Sequence, residues 1–480
     1  MIARRWLAVA ALFVALPAAA QKTGAATRRC QFVFENATPN THLFSVELPS
    51  KQRNVYIGGG IIARCPSEGQ VLRSDSLEVY GDEGRYFFIG HVDYVDRRIK
   101  LKSEYLTYFQ REERLLAVIT VDATLSSGST LKGNQLEVWR AQPRIRPQRA
   151  VATGRPTISL VERDPQGRAQ PPVVITGNII TLEGDSTVFA QGEVTVVRPE
   201  LRAQSDSLHL DGARNVLHLI RNPKITGTKG RPFTLEGKSI DLVSRRRKLE
   251  RVVAMDSGEA TSEDLTLQAD TIDMRIADDL LQRAVAWGRS RARAVSPTQT
   301  ITSDSIDVIM PAQRVRELHA VRKAVAEAVP DTSHFKTKER DRLSGDTIVA
   351  RFDSIPARDT ISKSRVRLLV ATGSATALQH LVAKDTACHL PQINYVTGQT
   401  ITVHFDSAGV SRGQNEKSSG VLLEPDASCG KSVAGATRAA GSGSPASSAP
   451  ASNGQPPPAA PPARPPVAPP VTAPTTPPPQ

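Results

Sequence analysis

Ser74-Asp75-Ser76-Leu77-Glu78-Val79 is a phrase to which this chain keeps returning. Ser205-Asp206-Ser207-Leu208, Ala269-Asp270-Thr271-Ile272, Ser303-Asp304-Ser305-Ile306 and Gly345-Asp346-Thr347-Ile348 repeat it. Looser copies are Ser103-Glu104-Tyr105-Leu106, Gly133-Asn134-Gln135-Leu136, Gly237-Lys238-Ser239-Ile240 and Gly398-Gln399-Thr400-Ile401. The second residues stand at 75, 104, 134, 206, 238, 270, 304, 346 and 399, in steps of 29, 30, 72, 32, 32, 34, 42 and 53. The step of 72 spans two periods with one copy lost. Recurrence near 30 residues marks stacked supersecondary units, each buried by its neighbours.

Within the phrase the apolar residues alternate. Leu77 and Val79 face one way, Ser76 and Glu78 the other, the period of a half-buried strand. The small polar pair in front suits a bend, since Ser and Asp bond their own backbone and Gly accepts unusual dihedrals. A second phrase follows the first, as in Arg114–Ile119, Lys248–Ala254, Leu280–Gly288 and Val366–Gly373. Each unit therefore reads as strand, turn, strand. Val315, Leu318, Val321 and Val325 also fit helical spacing, but they occupy the slot of the second phrase and are expected to be mainly strand.

Five segments follow. Residues 1–20 carry Arg4 and Arg5, an apolar run from Trp6 to Leu16 and Ala18-Ala19-Ala20, the layout of a cleaved secretory signal. Residues 21–140 are expected to form a first β block and 173–430 a second. Between them, Pro143, Pro147, Pro165 and Pro171-Pro172 predict a linker over 141–172. Residues 431–480, rich in Ala, Ser and Pro, cannot bury enough apolar surface to fold and are expected to be a disordered tail. Four cysteines suit an oxidising compartment. Three pairings are open to Cys30, Cys65, Cys388 and Cys429, and the local one (30 with 65, 388 with 429) would clip each end of a repeat stack.

The net charge of +13 favours a polyanionic partner, and export removes nucleic acid from that class. The Asp-Ser pairs recur at one structural position, as turn residues do and a single catalytic site does not. No nucleophile elbow, P-loop or HExxH occurs, so no enzymatic activity, cofactor or metal is expected. Cys388-His389 lacks a second close ligand pair.

Small-Asp-Ser/Thr-Leu/Ile-x-Val, then a basic residue, an apolar pair and Val-x-Ala-x-Gly-x-Ala, resembles the repeats of the OstA-like (LptA-like) family of lipopolysaccharide-transport proteins. The clearest matches are Leu72–Tyr80 with Phe88-Ile89-Gly90-His91-Val92, Ala190-Gln191-Gly192-Glu193-Val194 with Ala203–Leu210, and Gln268–Trp287. The likeness covers most of residues 56–410. It implies an all-β fold, a β-jellyroll of stacked antiparallel strands forming an open groove for acyl chains. It also implies a non-enzymatic periplasmic bridge for outer-membrane assembly, stacked end to end on other transport components or associated with the outer membrane. The partner would be lipopolysaccharide or a related anionic lipid.

The groove candidates are Leu77, Val79, Phe88, Ile89, Leu106, Leu208, Leu210, Ile240, Leu242, Ile272, Met274, Ile306 and Val308. A groove wall and a core wall share one pattern, so core packing stands beside this reading. Arg245, Arg246, Arg247 and Lys248 are candidates for head-group phosphates, or else a charged edge that discourages strand aggregation. The rival function is a structural or polysaccharide-binding envelope protein built from the same repeats.

Overall fold

Alternating apolar residues make the strands, and the small polar pairs between them make the reversals. The computed structural model describes residues 32–425 except 68, 143, 162–166, 168–170, 185, 246–247, 331–334, 354–364, 384–389 and 407–408. Among the described residues, thirty strands and one 3-10 turn (Pro311–Gln313) account for the regular structure, and the strands join antiparallel into one continuous ladder. No helix among the described residues is long and apolar enough to cross a membrane.

The ladder is folded along its length into two walls. In the strand Ile99–Phe109 the buried positions are Ile99, Leu101 and Ser103, then Leu106 and Tyr108. A three-residue step inside a period of two is a corner, where the strand leaves one wall and enters the other. Strands Leu201–Asp211, Thr266–Ala277 and Gln299–Ile309 cross in the same way, and Thr187–Val197 crosses with a step of four, from Ala190 to Val194. Elsewhere the crossing is broken into two short strands. Lys224–Gly227 pairs with Phe233–Glu236 in the first wall, and Val216–Ile220 with Ser239–Arg245 in the second.

The repeated phrase is the corner. Its first serine turns inward and donates its hydroxyl to the carbonyl two residues on: Ser74 to Ser76 at 2.7 Å, Ser205 to Ser207 at 2.9 Å and Ser303 to Ser305 at 2.7 Å. The next strand makes the same corner with an extra residue in the left-handed region, as at Gly90-His91, Gly192-Glu193 and Gly373-Ser374. Such a bulge strengthens the bend and leaves backbone amides without ladder partners. The phrase's Asp fills that place. Asp270 accepts from the amides of Arg289 and Ser290 at 2.5 and 2.9 Å, and the Cβ of a side chain on Gly288 would overlap it. This close approach accounts for the recurrence of Asp and Gly at one place in each repeat. The copy lost from the sequence period is Gly177-Asn178-Ile179-Ile180, whose Asn178 amide meets the carbonyls of Gln191 and Gly192 at 2.9 Å.

This contact has a pH signature. The backbone amide of Ser290, with smaller help from Arg289, holds the Asp270 carboxyl below its usual value. The stability it contributes is therefore complete above the unfolded-state value of about 3.9 and is lost as pH falls through the lower folded one. Melting temperatures between pH 2.5 and 6 should show Asp270→Asn with a shallower acid-side decline than the wild type. Parallel curves would remove Asp270 from the corner's support.

The ladder does not break at residues 141–172. Arg149–Thr153 pairs with both Thr130–Trp139 and Ile179–Glu183, and Thr157–Leu160 bridges Thr130–Trp139 to Val173–Thr176. Of the prolines expected to mark a linker, Pro147 stands two residues before one strand and Pro172 directly precedes another, while Pro143 and Pro165 lie outside the described residues. A run of turn residues here interrupts the sequence period but not the hydrogen bonding. Glu317–Ala328 is a strand, as its repeat slot required. Cys65 is disulfide-bonded. Cys30, Cys388 and Cys429, the signal segment and the tail lie outside the described residues.

Candidate functional site

Two rows of side chains line the inside of the second wall. The deep row, next to the corners, runs Leu77, Phe88, Leu106, Ala117, Leu136, Ala152, Ile180, Ala190, Leu208 and Leu219, each cross-strand partner of the last. It continues through Ile240, Ala254, Ile272, Ala286, Ile306, Ala320, Ile348 and Ala371 to Ile401. Large residues alternate with alanine over most of its length, so neighbouring strands interdigitate, and no member is more than 2% exposed. The outer row stands one pleat nearer the free rims and includes Val79, Leu182, Val188, Leu210, Leu217, Leu242, Met274 and Val308.

Of the thirteen groove candidates, seven belong to the deep row and five to the outer row. The exception is Ile89. It follows the inward Phe88, so the strand's alternation puts it on the outer face, beside Tyr80, Phe87 and Tyr105. The expectation of an open groove along the deep row is also corrected. Its members close against the opposite wall and form a filled core. Arg245 and Lys248 are exposed at the rim turn that follows Leu242; Arg246 and Arg247 lie outside the described residues.

Open space of ligand size survives in a stretch of the outer row among the described residues. A cavity of about 300 Å³ lies between the rims, with Leu182, Val188, Leu210, Leu217 and Leu242 from the second wall facing Ile99, Leu125, Ile158, Leu160 and Val173 from the first. Leu125, Leu160 and Leu210 are half-buried here, whereas Val308 and Leu318 further along the same row are fully covered. The wall carries Ala150 at the corresponding position, and an alanine beside Leu182 leaves room that a larger residue would fill. Ser126, Ser127, Ser129, Ser244, Asn215, Gln148, Arg98 and Arg198 also line it, so polar groups share the lining with the apolar ones.

The rims are tied on either side of this space. Arg98 in the first wall donates to Gln148 Oε1 in the second at 2.8 Å. Beyond the cavity, Lys229 pairs with Asp279 at 2.5 Å and the Arg231 amide donates to Gln313 Oε1 at 2.5 Å, while the Arg231 guanidinium pairs with Asp264 along the first wall's own rim at 2.6 Å. The hydrogen bond that Lys229 donates to Asp279 raises its ammonium above the usual pKa, so the ammonium stays charged at neutral pH. Sequence reading did not single out Arg98, Gln148, Leu182 or Leu217. Leu182 and Leu217 share the strand alternation and were legible in principle; the Arg98–Gln148 tie joins residues fifty apart in the chain and left no local signal.

No protein-family model matches the chain, and no curated protein matches it. Among the described residues no group of three or more His, Cys, Asp or Glu is placed to hold a metal ion.

Proposed function

We propose that this protein is a non-enzymatic periplasmic carrier that holds the acyl part of lipopolysaccharide, or of a related anionic lipid, between its walls and passes it along the envelope. The cavity at Leu182–Leu242 is the observation that carries this reading, because apolar side chains from both walls face each other there and Arg98 borders it. Burying acyl chains there is favourable by about 0.8 kcal/mol per CH₂. The repeat phrases support an OstA-like jellyroll as the finer description of the fold. Both ladder ends support stacking on a like partner. His42–Glu47 and Ser419–Leu423 are edge strands, and Leu43, Phe44, Val421, Leu422 and Leu423 are all more than half exposed.

The filled deep row favours a second reading, a structural envelope protein whose interior serves only to hold its walls together. Native mass spectrometry with lipid extraction separates the two. The mature protein, purified from a lipopolysaccharide-bearing host, should retain a lipid A-type or phospholipid ligand under the carrier reading. Protein that is lipid-free and fails to take up added lipopolysaccharide would leave the structural reading standing.

A further inference from the structure

The cavity is small for a lipid with several acyl chains, and among the described residues that line it the charged side chains are two arginines, with no Asp or Glu. Of its two arginines, Arg198 is paired with Glu200 at 2.7 Å, and both side chains are nearly buried. Arg98 bonds only a neutral amide across the mouth, that of Gln148. The cavity therefore has an apolar floor and a mouth bearing one guanidinium without a carboxylate partner among the described residues.

Volume limits the occupant. An apolar cavity of about 150 Å³ holds one benzene. A cavity of about 300 Å³ thus has room for on the order of ten to twelve carbons. We infer that this cavity is a site for a single-chain anionic amphiphile, a fatty acid of about ten to twelve carbons, with its chain against Leu182, Leu210 and Leu217 and its carboxylate on Arg98. This rests on the proposal that apolar chains enter between the walls, and narrows the ligand of that site. Binding replaces the Arg98–Gln148 hydrogen bond, whose acceptor is a neutral amide, with an ion pair to the carboxylate that is charged on both sides and is the stronger of the two. Chains longer than the cavity gain nothing from their extra methylenes, because the deep row behind it is closed.

The test is calorimetric titration of the full mature chain, after lipid removal, with saturated fatty acids of eight, ten, twelve, sixteen and eighteen carbons and with dodecanol. One-to-one binding is expected, tightening about fourfold per CH₂ up to the length that fills the cavity and then levelling. Arg98→Gln should weaken dodecanoate about tenfold, as loss of a charge-assisted hydrogen bond does, and leave dodecanol unchanged. Leu210→Trp should abolish binding of both. If that variant does not fold, Ala150→Phe fills the same space from the neighbouring strand position. Affinity that keeps rising to eighteen carbons, an Arg98→Gln variant that binds dodecanoate as the wild type does, or a folded cavity-filled variant that still binds would each overturn the assignment. Added lipopolysaccharide distinguishes the two levels of proposal. A chain that binds it but no fatty acid remains a lipid carrier without this site, and a chain that binds neither loses both.

Discussion

Ile272→Asp is expected to destabilise the protein by more than about 4 kcal/mol, a loss reserved for charges placed in a packed interior. Ile272 is fully buried, and its cross-strand partners are Ala254 and Ala286. The alanines leave the isoleucine as the volume that fills its segment of the deep row, so substitution removes the packing and buries a carboxylate with no partner. Ile272→Val, which deletes one methyl and adds no charge, should lose only about 1 kcal/mol. Urea unfolding of both variants measures the difference. Because each strand is held by its neighbours, amide exchange in Ile272→Asp should rise first in Lys248–Ser262 and Leu280–Val295. A variant as stable as Ile272→Val would mean that the row is not packed. The same reasoning governs tests of lipid binding: a charge at Leu208 or Ile272 reports on folding, and the cavity residues are the ones to alter.

Gly373→Val is expected to cost about 2–4 kcal/mol, from a strained backbone together with a steric clash. Gly373 has φ of 77°, a region where a β-branched residue is an outlier. A Cβ there would also lie 2.8 Å from the Cβ of Asp346, the Asp of a repeated phrase one strand away. The corner would have to open, separating Asp341–Asp353 from Arg365–Val382 where their register shifts. Gly413, near the end of the ladder, meets nothing within 4 Å and has no such backbone constraint, so Gly413→Ala is a control expected to be near neutral. Thermal melts compare the two. A Gly373→Val protein that melts with the control would show that the corner tolerates a side chain, and the explanation given for the repeat's Gly would fail.

The sequence by itself determined the strands, their period and the inward side of the chain. Leu77, Leu208, Ile272 and Ile306 were legible because alternation reports which face of a strand a residue occupies, and that depends only on local backbone geometry. The corner was legible too, as a small polar pair before each apolar run, although the reason for its Asp was not. That reason is a bulge in the next strand, visible only when Asp270 and Ser290 are brought together. Only the tertiary structure decided what stands opposite each inward side chain. Groove and core share one pattern, and the spacing of the two walls is set by residues far apart in the chain. Ala150 against Leu182 and Leu210 half-buried leave a cavity, while Ile272 between two alanines leaves none. The prolines between 141 and 172 misled for the same reason: turn residues mark a reversal, and whether the chain then rejoins the ladder is settled by the partners waiting on either side.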